Sequence, residues 1–352
     1  MRASQSQALA ILPTTSATTT TTTTTNVLLV MVLFFYVAHA QPLVPGFFIF
    51  GDSVVDAGNN NHLYTLVKAN FPPYGRDFVT HSPTGRFCNG KLATDFTAEN
   101  LGFTTYPPAY LSSEAKGKAL STGVNFASAA SGYYDNTAQL YHAISLSQQL
   151  EYYKEYQKKL VKVAGKSKAA SIISGSIYLI SAGSSDFVQN YYINPYLYRA
   201  YTQNLYALGA RRIGVTSLPP LGCLPAAITL FGLGTNVCVP KLNQDATSFN
   251  NKLNTTSQNL QKKLSGLNMV VFDIYQPLFD LVTKPSDHGF VEARKACCGT
   301  GTLETSVLCN ERSVGTCANA TGYVFWDGFH PSEAANKVLA DDLLVQGISL
   351  IS

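Results

Sequence analysis

Charge is scarce in this 352-residue sequence: Asp, Glu, Lys and Arg together make up 13% of it. With 46% apolar residues beside so little charge, the chain has material for a buried core and lacks the signature of disorder. It also lacks a basic run. The formal charge of +4 includes Arg2, the only charged residue before position 41; without it, 24 basic side chains face 21 acidic ones, about +3. Those residues are scattered, which gives nucleic acid no patch to bind. No internal repeat and no linker-like boundary interrupts the chain, so a single domain is expected although the length permits two. His62, His81, His142 and His288 show no metal-ligand spacing among themselves.

Long apolar runs are missing too, since none reaches the roughly 20 residues of a comfortable membrane span. The run VLLVMVLFFYVA after Asn26 ends in Ala38-His39-Ala40, a signal-peptide core with a small-x-small cleavage site. Residues 1–40, with the threonine tract at 18–25 lengthening the segment before that core, are read as a signal peptide cleaved before Gln41. An uncleaved anchor is the alternative. The mature chain, 41–352, is then a secreted, extracellular or cell-wall protein without a stable membrane span, and is expected to be a monomer.

Seven cysteines all lie after that cleavage site: Cys88, Cys223, Cys238, Cys297, Cys298, Cys309 and Cys317. In an exported chain they imply disulfides, with at least one thiol unpaired or intermolecular. Four of them fall in the Gly-, Thr- and Ser-rich stretch 297–317, where two local bridges could staple a segment without a core of its own. Zinc is the competing reading, opposed by the adjacency of Cys297 and Cys298 and by the export signal. Asn254-Thr-Thr and Asn319-Ala-Thr are glycosylation sequons consistent with secretion.

Five short apolar runs read as buried strands: 46–50, 122–127, 176–182, 212–217 and 270–274. Helical spacing appears at 144–163, 197–209 and 242–265, and a last amphipathic helix follows Pro331, taken as an early helical residue. Strands alternating with helices predict a parallel sheet covered on both faces. Ligands of such sheets bind beyond the carboxyl ends of the strands. Small polar residues gather there: Gly51-Asp52-Ser53, Ser128-Ala129-Ala130-Ser131-Gly132 and Gly183-Ser184-Ser185-Asp186.

A serine hydroxyl becomes a nucleophile when a base takes its proton and a third group fixes the tautomer of that base. Asp327-Gly328-Phe329-His330-Pro331 supplies both helpers, because a loop entering a helix can turn an aspartate toward a histidine three positions on. Singly, Ser53 and Asp327 would read as a turn or helix cap. Together, on a parallel-sheet pattern in an exported chain, they read as a catalytic constellation. Trp326 is assigned to packing. Tyr133, Tyr134, Tyr191 and Tyr192, which follow the second and third strands, either line an ester pocket or pack in the core.

These blocks, Phe50-Gly51-Asp52-Ser53-Val54-Val55-Asp56-Ala57-Gly58-Asn59-Asn60 near the start and Phe325-Trp326-Asp327-Gly328-Phe329-His330-Pro331-Ser332 near the end, carry a resemblance. So do Gly123-Val124-Asn125-Phe126-Ala127-Ser128, Leu208-Gly209-Ala210-Arg211-Arg212 and Leu218-Pro219-Pro220-Leu221-Gly222-Cys223. Over residues 45–348 the chain resembles the plant-type GDSL esterase/lipase family of the SGNH hydrolase superfamily. The resemblance implies a three-layer α/β/α sandwich with a five-stranded parallel sheet, the flavodoxin-like SGNH hydrolase fold. It implies Ser53 as nucleophile, His330 as general base and Asp327 as its orienting partner, with no metal or organic cofactor.

The oxyanion donors it implies are the backbone N–H of Ser53 and the groups at Ala130 and Ser185. There the sequence departs from the family, which usually has glycine and asparagine at those two positions. Val54 replaces a leucine, and the segment 195–202 is shorter than usual, so that apolar surface is expected to be left exposed unless neighbours close over it. The implied reaction is hydrolysis of lipid, cutin-like or acylated cell-wall esters through an acyl-Ser53 intermediate. Transfer of that acyl group to an alcohol is an alternative. So is a secreted wall-binding or structural protein with weak or no catalysis.

Overall fold

The computed structural model describes residues 41–190 and 195–352. The expected signal peptide, and Tyr191 and Tyr192, lie outside them. Four parallel strands form the main sheet: β1 (Phe47–Gly51), β2 (Ile177–Ser181), β3 (Arg212–Thr216) and β4 (Asn268–Phe272), hydrogen-bonded in that order. The residues of β1, β2 and β3 are almost all buried, which is why they read as continuous apolar runs rather than alternating ones, while β4 is only partly buried. Phe47 sits in register with Ile177, and Ile177 with Arg212.

Alternate side chains go to opposite faces. Phe48, Phe50, Tyr178, Ile180, Ile213 and Val215 join one core, and Phe47, Ile49, Ile177 and Leu179 the other. The first core is completed by α3 (Leu146–Ala164), α4 (Lys166–Gly175), α6 (Pro195–Ala207) and α8 (Pro240–Lys263), the second by α1 (Ala93–Asn100) and α10 (Glu333–Gln346). This gives the three α/β/α layers. Shorter helices α2 (Asp135–Gln139), α5 (Ser184–Asn190), α7 (Pro225–Phe231) and α9 (Tyr275–Thr283) lie in the connections.

The helices have local causes. Ser145 Oγ accepts from the Gln148 N–H at the start of α3, the helix buries Leu146, Leu150, Tyr153, Tyr156 and Leu160 at helical spacing, and Gly165 ends it at φ +80°. Tyr153 and Tyr156 pack edge-on against Phe48, and each buried side chain of this size contributes on the order of 2 kcal/mol. The last helix differs in detail from expectation. Pro331 lies outside it, and Ser332 is the cap, its Oγ accepting from the Ala335 N–H at 3.2 Å.

The sheet has four full strands rather than five. The expected second strand, 122–127, does run beside β1, with Phe126 N–H donating to Ile49 O at 2.8 Å and Ile49 N–H to Val124 O at 3.2 Å. It is reduced to a single parallel bridge, Ile49 to Asn125. Gly123 explains this: at φ +110° its Cβ position lies 2.0 Å from Phe47 O, a conformation and an approach that interrupt a regular ladder. Counting this segment, the spatial order is second, first, third, fourth, fifth, the flavodoxin-like order. A separate parallel pair, β5 (Glu292–Ala296) and β6 (Tyr323–Phe325), was not anticipated.

Disulfides join Cys223 to Cys238, Cys297 to Cys317 and Cys298 to Cys309, and Cys88 is a buried free thiol. The two bridges expected within 297–317 are thus present. The short segment 195–202 forms the start of α6, whose Tyr198 and Leu205 are buried against α8. Beside it an open cavity of about 580 Å³ separates α6 from α3, walled by Leu146, Leu150, Leu197 and Tyr201. Tyr133 and Tyr134 line that cavity too. No helix among the described residues is long and apolar enough to cross a membrane.

Candidate active site

Strand β1 delivers Ser53 to the carboxyl edge of the sheet. Gly51 closes the strand at φ +144°, where a Cβ would lie 1.8 Å from Ser181 O, so only glycine lets the chain turn this close to β2. Gln149 grips the glycine from both sides: Nε2 donates to Gly51 O and Oε1 accepts from Gly51 N–H, each at 2.9 Å. A tight turn follows, Val55 N–H donating to Asp52 O. It presents Ser53 half-buried and tucks Asp52 inward. Burial pushes the Asp52 carboxyl up to about 7, opposed by the Val54 N–H that donates to it.

Asp327 and His330 follow β6 on one turn, closed by the Trp326 N–H donating to His330 O at 2.8 Å. His330 Nδ1 is 2.7 Å from Asp327 Oδ1, and His330 Nε2 is 2.7 Å from Ser53 Oγ. A neutral imidazole with its proton on Nδ1 donates to the carboxylate and accepts from the hydroxyl. Asp327 is wholly buried but well satisfied. It also accepts from the N–H groups of Phe329 and His330, both at 2.9 Å, from Tyr74 OH at 2.8 Å and from Thr305 Oγ1 at 3.0 Å. So many donors offset the cost of burying the charge.

Ser53 and His330 open onto a cavity of about 240 Å³ that Ala130, Ser184 and Ser185 also line. Apolar Val67, Phe87, Pro219, Leu224 and Phe329 make up much of the remaining wall. Among the described residues, the N–H groups of Ser53 and Ala130 donate to no protein acceptor. Ala130 stands at φ +68°, left-handed backbone that disfavours a side chain. Ser185 lies in the first turn of α5.

Three side chains whose roles were not foreseen fix the Ala130 segment. Asp56 accepts from the N–H groups of Gly58, Asn59 and Ala129. Asn59 Nδ2 donates to the carbonyls of Asn125 and Ala127. Asp186 accepts from the Tyr133 and Tyr134 N–H groups and from Thr137 Oγ1 at 2.6 Å. Burial raises both carboxyls to about 6 against these hydrogen bonds. Tyr74 and Thr305 were missed as well. Their distance from Asp327 along the chain left no sequence signal, whereas Asp56 and Asn59 at least stand in the first motif block.

A family profile described as GDSL-like Lipase/Acylhydrolase matches residues 47–343. The chain belongs to this family. The GDSL esterase/lipase At5g22810 of Arabidopsis thaliana is 70% identical over 335 residues, covering 90% of this chain and 92% of the relative. GDSL esterase/lipase At5g03810 and GDSL esterase/lipase APG, from the same plant, are 67% and 64% identical, covering 90% and 88% of this chain and 94% and 92% of their own lengths.

Membership places this GDSL protein among the ester-hydrolysing enzymes. Its Trp326 packs rather than facing the cavity: the ring is buried, with Tyr74 edge-on and the Arg76 guanidinium 4.9 Å above it. The sequon asparagines Asn254 and Asn319 are both exposed.

Proposed function

We propose that this GDSL enzyme is a secreted carboxylic-ester hydrolase in which Ser53 is the nucleophile, His330 the general base and Asp327 the group that orients it. The observation that carries this reading is the continuous relay of two 2.7 Å contacts, Ser53 Oγ to His330 Nε2 and His330 Nδ1 to Asp327 Oδ1. Ser53 Oγ attacks the ester carbonyl while His330 takes the hydroxyl proton. The negative charge that forms on the carbonyl oxygen is met by the Ser53 and Ala130 N–H groups and by the Ser185 hydroxyl. His330 then gives its proton to the departing alcohol, and a water activated by the same imidazole releases the acid from acyl-Ser53.

Export by a leader ending at Ala40 agrees with three disulfides, which persist in oxidising compartments. Exposed Asn254 and Asn319 are then open to glycosylation. A mostly apolar cavity suits lipid, cutin-like or acylated wall esters. The rival reading, a wall protein that keeps the fold without efficient catalysis, draws on the alanine and serine at positions 130 and 185.

Hydrolysis of p-nitrophenyl butyrate by the secreted protein, beside Ser53→Ala and His330→Ala, separates the two. Each substitution is expected to lower kcat by about 10³-fold or more. Equal rates for the native protein and Ser53→Ala would remove the hydrolase reading and favour the rival.

A further inference from the structure

The catalytic cavity is small for the esters it is meant to take. Its 240 Å³ lies below the roughly 300–1,000 Å³ of common ligand pockets. A longer chain has to leave it. On one side the wall is formed by Tyr141 and Val67, and Tyr141 also lines a second, open groove of about 530 Å³ whose floor and rim include Leu63, Tyr64, Leu66 and Leu140.

These are unusual surface residues. Tyr64 is 97% exposed, Leu66 77% and Leu140 63%, a contiguous apolar patch beside a reactive centre rather than scattered single side chains. Two of the groove's polar groups hold it together, and exposed His142 also lines it. Thr65 Oγ1 donates to Tyr141 O at 2.6 Å, joining the two walls, and Lys68 Nζ donates to Asn61 O at 3.3 Å. The partition is anchored to the reactive centre. Ser306 Oγ donates to the carbonyls of Leu66 and Lys68, and the Ser306 N–H donates to Tyr74 OH, which itself donates to Asp327.

Building on the hydrolase reading, we propose that this groove is the binding site for a long unbranched aliphatic chain of the substrate, which passes from Ser53 across Tyr141 and lies along Leu66 and Leu140. The groove thereby selects long-chain over short-chain esters. Burying a methylene fully is worth about fourfold in an equilibrium constant, and an open groove covers part of that surface, about twofold per methylene.

The test uses p-nitrophenyl esters of C2 to C12 acids and, as a second series, acetates of C2 to C12 alcohols, all kept monomeric. In at least one series the native enzyme's kcat/KM is expected to rise tenfold or more from C6 to C12. The series that rises says whether the groove holds the acyl or the alcohol chain. Leu66→Asp and Leu140→Asp, at exposed positions, should each lower the C12-to-C2 ratio at least fivefold, whereas Val291→Asp, an exposed position outside the groove, should leave that ratio unchanged. A flat profile in both series, or variants that lower C2 and C12 alike, would overturn the proposal.

Binding of 11-(dansylamino)undecanoate to Ser53→Ala protein, followed by fluorescence, reads the groove without turnover. Loss of at least fivefold in affinity on adding Leu66→Asp supports the groove even if no ester is hydrolysed, and unchanged affinity overturns it. If the aspartate variants lose adsorption to phosphatidylcholine vesicles with an unaltered C12-to-C2 ratio, the patch is a lipid-surface contact and the chain-binding proposal is wrong.

Discussion

Ala130 carries a side chain where the backbone, at φ +68°, suits glycine. The left-handed conformation costs a non-glycine residue about 1–2 kcal/mol, and here it is imposed by Asp56 on the Ala129 N–H and by the Ser131 N–H donating to Ser128 O. Ala130→Gly is therefore expected to raise stability by about 1 kcal/mol, seen as a melting temperature higher by roughly 2–4 °C. A melting temperature lowered by the substitution would show that the strain is not there. Tyr74 is the opposite case, a residue whose loss should be felt in catalysis. Tyr74→Phe takes one donor from Asp327 and the acceptor of the Ser306 N–H, and should lower kcat about tenfold with KM little changed, since no contact to substrate is lost. Ser53, Asp327 and His330 could be picked out in the sequence as the proposed triad because a nucleophile and its helpers need particular residue types in short motifs. Tyr74 and Thr305 could not, because an acceptor such as Asp327 can be satisfied by any hydroxyl that the fold brings near.

The elements that could be read from the sequence are those whose burial dictates composition. FFIFG and IYLIS are buried along their whole length and announce themselves as strands; EARKA of β5 mixes charge with alanine and does not. The 122–127 segment falls between, apolar enough to be placed beside β1 but bent out of a ladder by Gly123. The residues that follow it, Ala129 to Thr137, are held by the buried carboxylates of Asp56 and Asp186, and these, with Asp52, give the fold a pH dependence. An unfolded aspartate ionises near 3.8, whereas burial holds Asp52 up to about 7 and Asp56 and Asp186 to about 6. Between those values the folded chain binds more protons than the unfolded one, so their stabilising contribution is complete below about 4 and is lost as pH rises through 6 to 7. Glu304 works in the other direction. Against its partial burial, hydrogen bonds from Thr300 and Thr302 bring it from 4.5 to about 2, a contribution present above 4.5 and lost as pH falls toward 2. Thermal melts from pH 3 to 8 should therefore peak between about 3 and 4 and decline from there to about 7, with Asp52→Asn flattening the decline on the alkaline side. A melting temperature that climbs steadily from pH 5 to 8 would contradict this assignment.

At the scale of the molecule, the two cores that sandwich the sheet are large and aliphatic or aromatic, and hold no disulfide sulfur except that of Cys223, with Cys238 at the edge. The third cluster, where Tyr74, Phe87 and Trp326 meet Cys297, Cys298 and Cys309, is small and loop-built. Its bridges span 20 and 11 residues of sequence, and closing a loop of the shorter size restrains the unfolded segment by about 2–3 kcal/mol. That segment bears Thr305 and Ser306, which reach Asp327, Tyr74 and the wall at Leu66. Stability of the sheet and the support of Asp327 thus rest on different parts of the chain. Replacing Cys298 and Cys309 together by serine should lower esterase kcat/KM tenfold or more while far-UV circular dichroism keeps the native helix and sheet content at 25 °C. Mild reduction of the native protein should act in the same order, activity before secondary structure. Cys88 does not confuse the experiment, because burial pushes its thiol far above the usual range and a buried, protonated thiol is a poor exchanger. Cys88→Ser should accordingly leave the reduction profile as it is. If secondary structure and activity are instead lost together in the double variant, the lobe between β5 and β6 is part of one cooperative unit with the sheet, and the local account of its bridges fails.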